Sequence, residues 1–137
     1  MGMFEVQIRI ANLEKPERSA ELSLIVDTGA TLSWIPRETL ESLEIEPLSR
    51  LPFSPADGRS IERDVGGVLL SIDGRRAPVP VAFGEAGENA LLGATALESL
   101  GLIVDPVAKK LIQRNLLALR VDLLDLRPAR ILLTIGE

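Results

Sequence analysis

The chain has 137 residues, of which 46% are hydrophobic, and a net charge of -5 from 20 acidic and 15 basic residues. This length suits one ordinary domain, and the mild, mixed charge gives no electrostatic case for nucleic acid binding. Histidine, cysteine and tyrosine are absent, which removes histidine-dependent triads, thiolate catalysis, disulfides and nearly all zinc sites. Acid–base chemistry would have to use carboxylates or, less plausibly, a lysine.

The apolar runs are short and are interrupted by charged residues, so the sequence predicts no membrane span and no signal peptide. The lack of cysteine fits a reducing compartment. We therefore expect a cytoplasmic chain without a membrane partner, a metal site or a cofactor.

The first part of the chain predicts a β-hairpin that leads into a polar motif. Residues 4–10 alternate strictly between apolar and polar side chains, and residues 20–26 form a second apolar strand after a proline-containing loop. The second strand ends directly at Asp27-Thr28-Gly29. A surface aspartate needs no such setting, whereas an aspartate that must be held still and partly out of water does.

The rest of the chain predicts many short strands, two short helices and tight turns. A proline at position 36 opens the first predicted helix, over residues 36–45, and Gly101 closes the second, over residues 94–100. The predicted strands are residues 30–35, 60–73, 77–83, 90–93, 102–106 and 109–113, with an extended stretch at 47–55. This density of strands and turns is typical of a mostly β, barrel-like or sandwich-like domain.

Glycines and prolines give more local predictions. Asp57-Gly58 and Asp73-Gly74 predict hairpin turns, and Gly66-Gly67 indicates either a bulge or a close backbone approach. Two prolines, at positions 78 and 80, place their strand at a sheet edge. The pattern Gly-Ala-Thr, followed by Leu-Glu-Ser-Leu, occurs twice, and only its first copy has an aspartate two residues before the glycine.

Together these motifs resemble a retropepsin-like (clan AA) aspartic protease, above all its small prokaryotic type. The resemblance depends on "DTGA" after an apolar strand and on "ALLGATALESLGLIVDP" downstream, and it covers roughly residues 3–113. It implies a mostly β chain with a single retropepsin-like acid protease half-barrel domain over residues 1–113 and one or two short helices. Residues 114–137 would be an apolar C-terminal extension that forms an interface or extra strands. Their alternation favours a strand, and the spacing of their leucines also fits a helix.

The resemblance also implies roles for individual residues. Asp27 would be the catalytic carboxylate, Thr28 would lock its loop to a partner loop, and Gly29 would let the backbone turn and approach substrate. A support strand would lie behind the loop at residues 91–93. The residues expected to contact substrate are Ala30, Leu92 and a flap hairpin of Ala56, Asp57, Gly58 and Arg59.

Two positions depart from the retroviral pattern. Thr31 stands where an acid is usual, and Ala94 stands where an arginine is usual, so the dimer contact made there must differ. The role of Trp34 stays open between packing and substrate contact.

Amide hydrolysis without a metal, thiolate or histidine needs two carboxylates that share one proton, because two like charges so close cannot both ionise easily. The chain has one Asp-Thr-Gly, so the second carboxylate is expected from Asp27 of another copy in a two-fold homodimer. The sequence therefore predicts an aspartic endopeptidase that acts on polypeptides. The alternatives are a non-catalytic peptide-binding or assembly module of the same fold and, more weakly, a subunit of a larger complex.

Overall fold

The computed structural model describes residues 3–115, and half of these residues lie in strands. The elements in chain order are β1 (Glu5–Ala11), β2 (Ser19–Val26), β3 (Ser33–Pro36), α1 (Arg37–Ser42), β4 (Ser49–Phe53), β5 (Ile61–Ile72), β6 (Arg75–Gly84), β7 (Leu91–Leu92), α2 (Ala94–Leu100), β8 (Leu102–Asp105) and β9 (Lys110–Gln113). The predicted mostly β fold with two short helices is confirmed.

The first two strands form the predicted antiparallel hairpin, in register from Glu5 opposite Ile25 to Ala11 opposite Ser19. Asn12, which is buried, follows β1, and its side-chain amide donates to the Leu43 carbonyl at 2.9 Å. This hydrogen bond ties the hairpin loop to the end of α1, so a polar residue at the end of β1 joins two elements that are far apart in sequence.

Seven strands form one sheet in the order β1-β2-β7-β3-β6-β5-β4, and β1 also pairs with β5. This additional pairing makes the sheet curl back on itself into a half-barrel. The core inside the curve is apolar, and its largest fully buried side chains come from six different strands and from α1: Phe83, Ile10, Leu24, Ile35, Leu40, Leu70 and Leu92. Because strands from both halves of the chain contribute, the described residues form a single domain.

Gly66 and Gly67 mark a close approach and not a bulge. The pairing of β5 with β6 is continuous from Val65 opposite Ala82 to Ile72 opposite Arg75. A Cβ atom at Gly66 would lie 3.0 Å from the Glu46 carbonyl oxygen and 3.1 Å from the Phe83 ring. Of the two alternatives left by the sequence, the close backbone approach is therefore correct at Gly66.

The two prolines of β6 lie at a local edge within a central strand. β6 stands between β3 and β5, but β3 pairs only with residues 81–84. Pro78 and Pro80 lie before that stretch and pair with β5 alone among the described strands. Because proline has no N–H to donate, this open side of the strand is where it is tolerated.

The second helix matches its prediction at both ends, whereas the first is shorter than predicted. Pro36 precedes α1 as its N-cap and is not its first helical residue, and α1 stops at Ser42, three residues short of the predicted end. Gly101 closes α2 with a φ of 68°, as predicted, and β8 and β9 then form an antiparallel pair.

From residue 116 onward, the predicted C-terminal extension lies outside the described residues. Within residues 3–115, no helix is both long and apolar enough to cross a membrane.

Candidate active site

Asp27 is held by the strand that lies beside it. β2 pairs in parallel with β7, and the Asp27 N–H donates to the Leu92 carbonyl at 2.9 Å. The pairing therefore continues one residue past the end of β2 and reaches the aspartate itself. This is the physical reason why an apolar strand runs directly into the motif.

The turn after Asp27 is stabilised by its own side chain. Asp27 Oδ1 accepts the Gly29 N–H at 2.9 Å, and the Asp27 carbonyl accepts the Ala30 N–H at 3.2 Å. A Cβ atom at Gly29 would lie 3.2 Å from Oδ1, so glycine lets the carboxylate lie along the loop. Asp27 is half-buried, Thr28 and Gly29 are exposed, and Oδ2 accepts no hydrogen bond within residues 3–115.

The two copies of Gly-Ala-Thr lie side by side. The Ala94 N–H donates to the Ala30 carbonyl at 2.8 Å, and the Thr95 N–H donates to the Thr31 carbonyl at 3.0 Å. The repeat found in the sequence is thus a pair of backbone segments in direct contact, and the second copy supports the copy that carries the aspartate.

Gly93 is the point of closest contact between these segments. A Cβ atom there would lie 2.5 Å from the Leu32 carbonyl oxygen and 2.7 Å from that of Ala30. The Gly93 N–H donates to Oγ of Ser33, which is fully buried, at 2.9 Å. Ser33 was not among the predicted site residues, although a small polar residue between apolar neighbours in a short strand was a usable signal.

The predicted substrate contacts differ in exposure. Ala30 is partly exposed next to Asp27, and the four hairpin residues at 56–59 are exposed. The Leu92 side chain is fully buried, so it supports the loop from behind and is not positioned to contact a substrate. Its neighbour Leu91 is only partly buried and pairs with Trp34 of β3.

The predicted flap is a hairpin between β4 and β5. The Gly58 N–H donates to the Pro55 carbonyl at 3.0 Å, and Gly58 has a φ of 85°, which glycine adopts easily. Asp57 accepts the Arg59 N–H at 3.1 Å and pairs with Arg59 Nε at 2.6 Å. The pKa of Asp57 is lowered, mainly by the hydrogen bond from the Arg59 backbone N–H and next by the hydrogen bond from the Arg59 guanidinium.

Ion pairs hold the base of this hairpin to the rest of the domain. Arg37 of α1 donates to Asp64 Oδ2 at 2.7 Å and to Glu85 Oε2 at 3.0 Å, and Arg50 of β4 pairs with Asp64 Oδ1 at 3.1 Å. The pKa of Asp64 is held below its ordinary value, mainly by the hydrogen bond from Arg37 and next by the hydrogen bond from Arg50.

Arg63 makes a second link from the hairpin to the loop after β6. It forms a two-point ion pair with Glu88, with Nε 3.1 Å from Oε1, and this hydrogen bonding lowers the pKa of Glu88. Arg63 also lies 6.0 Å above the Trp34 ring, which meets Phe53 edge to face at 5.1 Å. Trp34 therefore packs at the hairpin base.

Comparison with known families agrees with this geometry. The family model described as "Aspartyl protease" matches residues 6–96. The chain belongs to the aspartyl protease family. It is accordingly a member of a family of hydrolases that cleave proteins, and its fold is retropepsin-like. A search of curated proteins found no match.

Among solved structures, the EIAV protease complexed with the inhibitor HBY-793 is 17% identical, with a TM-score of 0.52 over 81% of this chain and 93% of that chain. The Simian Foamy Virus (mac) protease is 19% identical, with a TM-score of 0.49 over 69% and 91% of the two chains. A retropepsin-like aspartic protease from Rickettsia conorii is 16% identical, with a TM-score of 0.46 over 76% and 86%.

Substitution of Gly93 by alanine should destabilise the fold by about 2 kcal/mol or more, because the new methyl group would overlap backbone atoms of the Asp27 loop. Gly84→Ala is the matched control, since its Cβ would lie 3.4 Å from the nearest atom. Urea unfolding of both variants measures the difference, and equal losses would contradict the close contact.

The hairpin base should loosen in acid. The pKa values of Asp64 and Glu88 are lowered by folding, so their ion pairs stabilise the structure above the ordinary carboxyl pKa of about 4, and this stability is lost as the pH falls through the lowered values. Hydrogen-exchange protection in β4 and β5 should therefore fall more than in β1 and β2. Asp64→Asn should reduce this pH dependence; an unchanged dependence would refute the assignment.

Proposed function

We propose that the chain is an aspartic endopeptidase, which hydrolyses peptide bonds with a water molecule activated by the paired Asp27 carboxylates of a homodimer. The observation that carries the proposal is the setting of Asp27. Its loop is fixed on one side by β7 and α2, whereas its Oδ2 accepts no hydrogen bond within residues 3–115. A carboxylate fixed in position with one oxygen available suits a general acid or base.

A second carboxylate is needed, and the other described aspartates are engaged elsewhere. Asp57 pairs with Arg59, Asp64 pairs with two arginines, and Asp105 accepts two backbone N–H groups in the turn after β8. Asp73 occupies the turn between β5 and β6. These positions favour a second copy of Asp27 as the partner, brought in by a two-fold axis.

The exposed tip of the loop is consistent with such a contact. Thr28 is exposed, and its hydroxyl makes no hydrogen bond within the described part of the chain. A hydroxyl group both donates and accepts hydrogen bonds, so two symmetry-related threonines can bond reciprocally across an axis. We assign to Thr28 the role of aligning the two loops.

In the proposed reaction the two carboxylates share one proton. The ionised carboxylate takes a proton from water as the water oxygen attacks the amide carbon, and the protonated one donates its proton to the amide oxygen. Collapse of the tetrahedral intermediate breaks the C–N bond: the protonated carboxyl group gives its proton to the departing amine, and the ionised carboxylate takes a proton from a hydroxyl of the intermediate, which restores the shared proton. The two groups titrate as a unit, so neither role belongs to one chain.

The substrate would be an extended polypeptide lying between the Asp27 loops and the hairpin of Ala56, Asp57, Gly58 and Arg59. Backbone hydrogen bonds to the hairpin would bind it as in strand addition. Ala30 and Leu91 are both partly buried. They would offer apolar contacts next to the reacting bond.

Asp27→Asn should keep the fold and lower the cleavage rate about 10²–10⁴-fold, because the amide cannot take a proton from water. The assay is cleavage of an unfolded polypeptide at mildly acid pH, with products identified by mass spectrometry and a statine-type inhibitor as a second check. Asp73→Asn, in the turn between β5 and β6, is the matched control and should retain full activity. Unchanged cleavage by Asp27→Asn would refute the catalytic assignment, and absence of cleavage by the parent chain would favour a peptide-binding module.

A further inference from the structure

The arginines of the described residues, 3–115, fall into two groups. Six of the nine form an ion pair with a carboxylate: Arg9, Arg18, Arg37, Arg50, Arg59 and Arg63. The other three form no such pair within this range: Arg75, Arg76 and Arg114. Arg75 and Arg76 begin β6, whereas Arg114 directly follows β9 and is distant from them in sequence.

All three line one cavity of about 660 Å³, which we call the arginine cavity. It lies between the start of β6, the C-terminal end of α2 and the residues that follow β9. Ser99, Gln113 and Asn115 add a hydroxyl group and two side-chain amides to its wall. Among the described residues, no acidic side chain lines it. The only arginines without a carboxylate partner in this range are thus gathered at one concave surface.

Only one of the three has an evident structural role. Arg75 Nη1 donates to the Leu100 carbonyl at 2.7 Å and so caps the C-terminal end of α2, where a positive charge is favoured. Arg76 and Arg114 are exposed, and neither makes a side-chain hydrogen bond within residues 3–115. The whole chain has a net charge of -5, yet these three positive charges surround one cavity. Like charges so placed repel each other unless an anion neutralises them.

We propose that the arginine cavity binds a small, multiply charged oxyanion that carries phosphate or carboxylate groups. Guanidinium groups recognise both through paired N–H donors, and the neutral side chains of the wall supply further donors. The cavity volume lies within the usual range for small-molecule sites.

This site is separate from the Asp27 loop. The first residue of α2, Ala94, is hydrogen bonded to that loop, whereas the arginine cavity lies at the other end of the helix. Seven helical residues span about 10 Å. The inference does not depend on the proposed protease activity, and either can fail without the other.

The test is calorimetric titration of the full chain with pyrophosphate and, separately, with citrate. We expect saturable binding of at least one anion, and sodium chloride at equal ionic strength should give no saturable signal. Arg76→Gln and Arg114→Gln should each raise the dissociation constant about tenfold, since each removes a charged donor. Arg9→Gln is the matched control, because Arg9 is paired with Glu21 on the first hairpin, and it should bind as the parent does.

Pyrophosphate binding alone would identify phosphate as the recognised group, and citrate binding alone would identify carboxylates. Absence of saturable binding by both anions would overturn the proposal. Equal affinity in the parent, Arg76→Gln and Arg114→Gln would also overturn it, because binding would then occur elsewhere on the chain. Circular dichroism of each variant separates a lost site from a lost fold.

Discussion

The end of β7 and the start of α2 lie directly against the backbone of the Asp27 loop, and the contact leaves no room for a side chain at Gly93. Three backbone hydrogen bonds cross this contact, from Asp27 to Leu92, from Ala94 to Ala30 and from Thr95 to Thr31. Because each end of the loop is bonded to the same short segment, the position of the aspartate follows from the packing of the core. The exposed tip can then meet another chain without deforming.

The hairpin between β4 and β5 is built in a different way. Its turn is exposed and is stabilised mainly by Asp57 and Arg59, whereas its base is joined to α1 and to the loop after β6 by Arg37 and Arg63. Exposed hairpins held by partly exposed ion pairs open at lower cost than packed cores. Under the proposed function, the fixed carboxylate would act on an extended chain that this more easily opened hairpin admits.

Local patterns were sufficient for most of the fold. Strict alternation predicted β1, Gly101 predicted the end of α2, and Asp73-Gly74 predicted the turn before β6, because each depends on residues that are adjacent in sequence. The network of Arg37, Asp64 and Glu85 could not be found in this way, since its members are 27 and 48 positions apart. Burial was equally hard to predict: the sequence indicated Leu92 as a substrate contact, whereas the structure encloses its side chain completely.

The central claim is that two copies of Asp27 make one active site, and subunit mixing tests it most directly. Wild-type and Asp27→Asn chains are combined in equal amounts, and native mass spectrometry confirms their exchange. Random pairing leaves about a quarter of the dimers with two aspartates and about half mixed. A mixed dimer lacks the shared proton, so cleavage activity per wild-type chain should fall to about half. Activity per wild-type chain that stays constant after confirmed exchange would contradict the two-chain site.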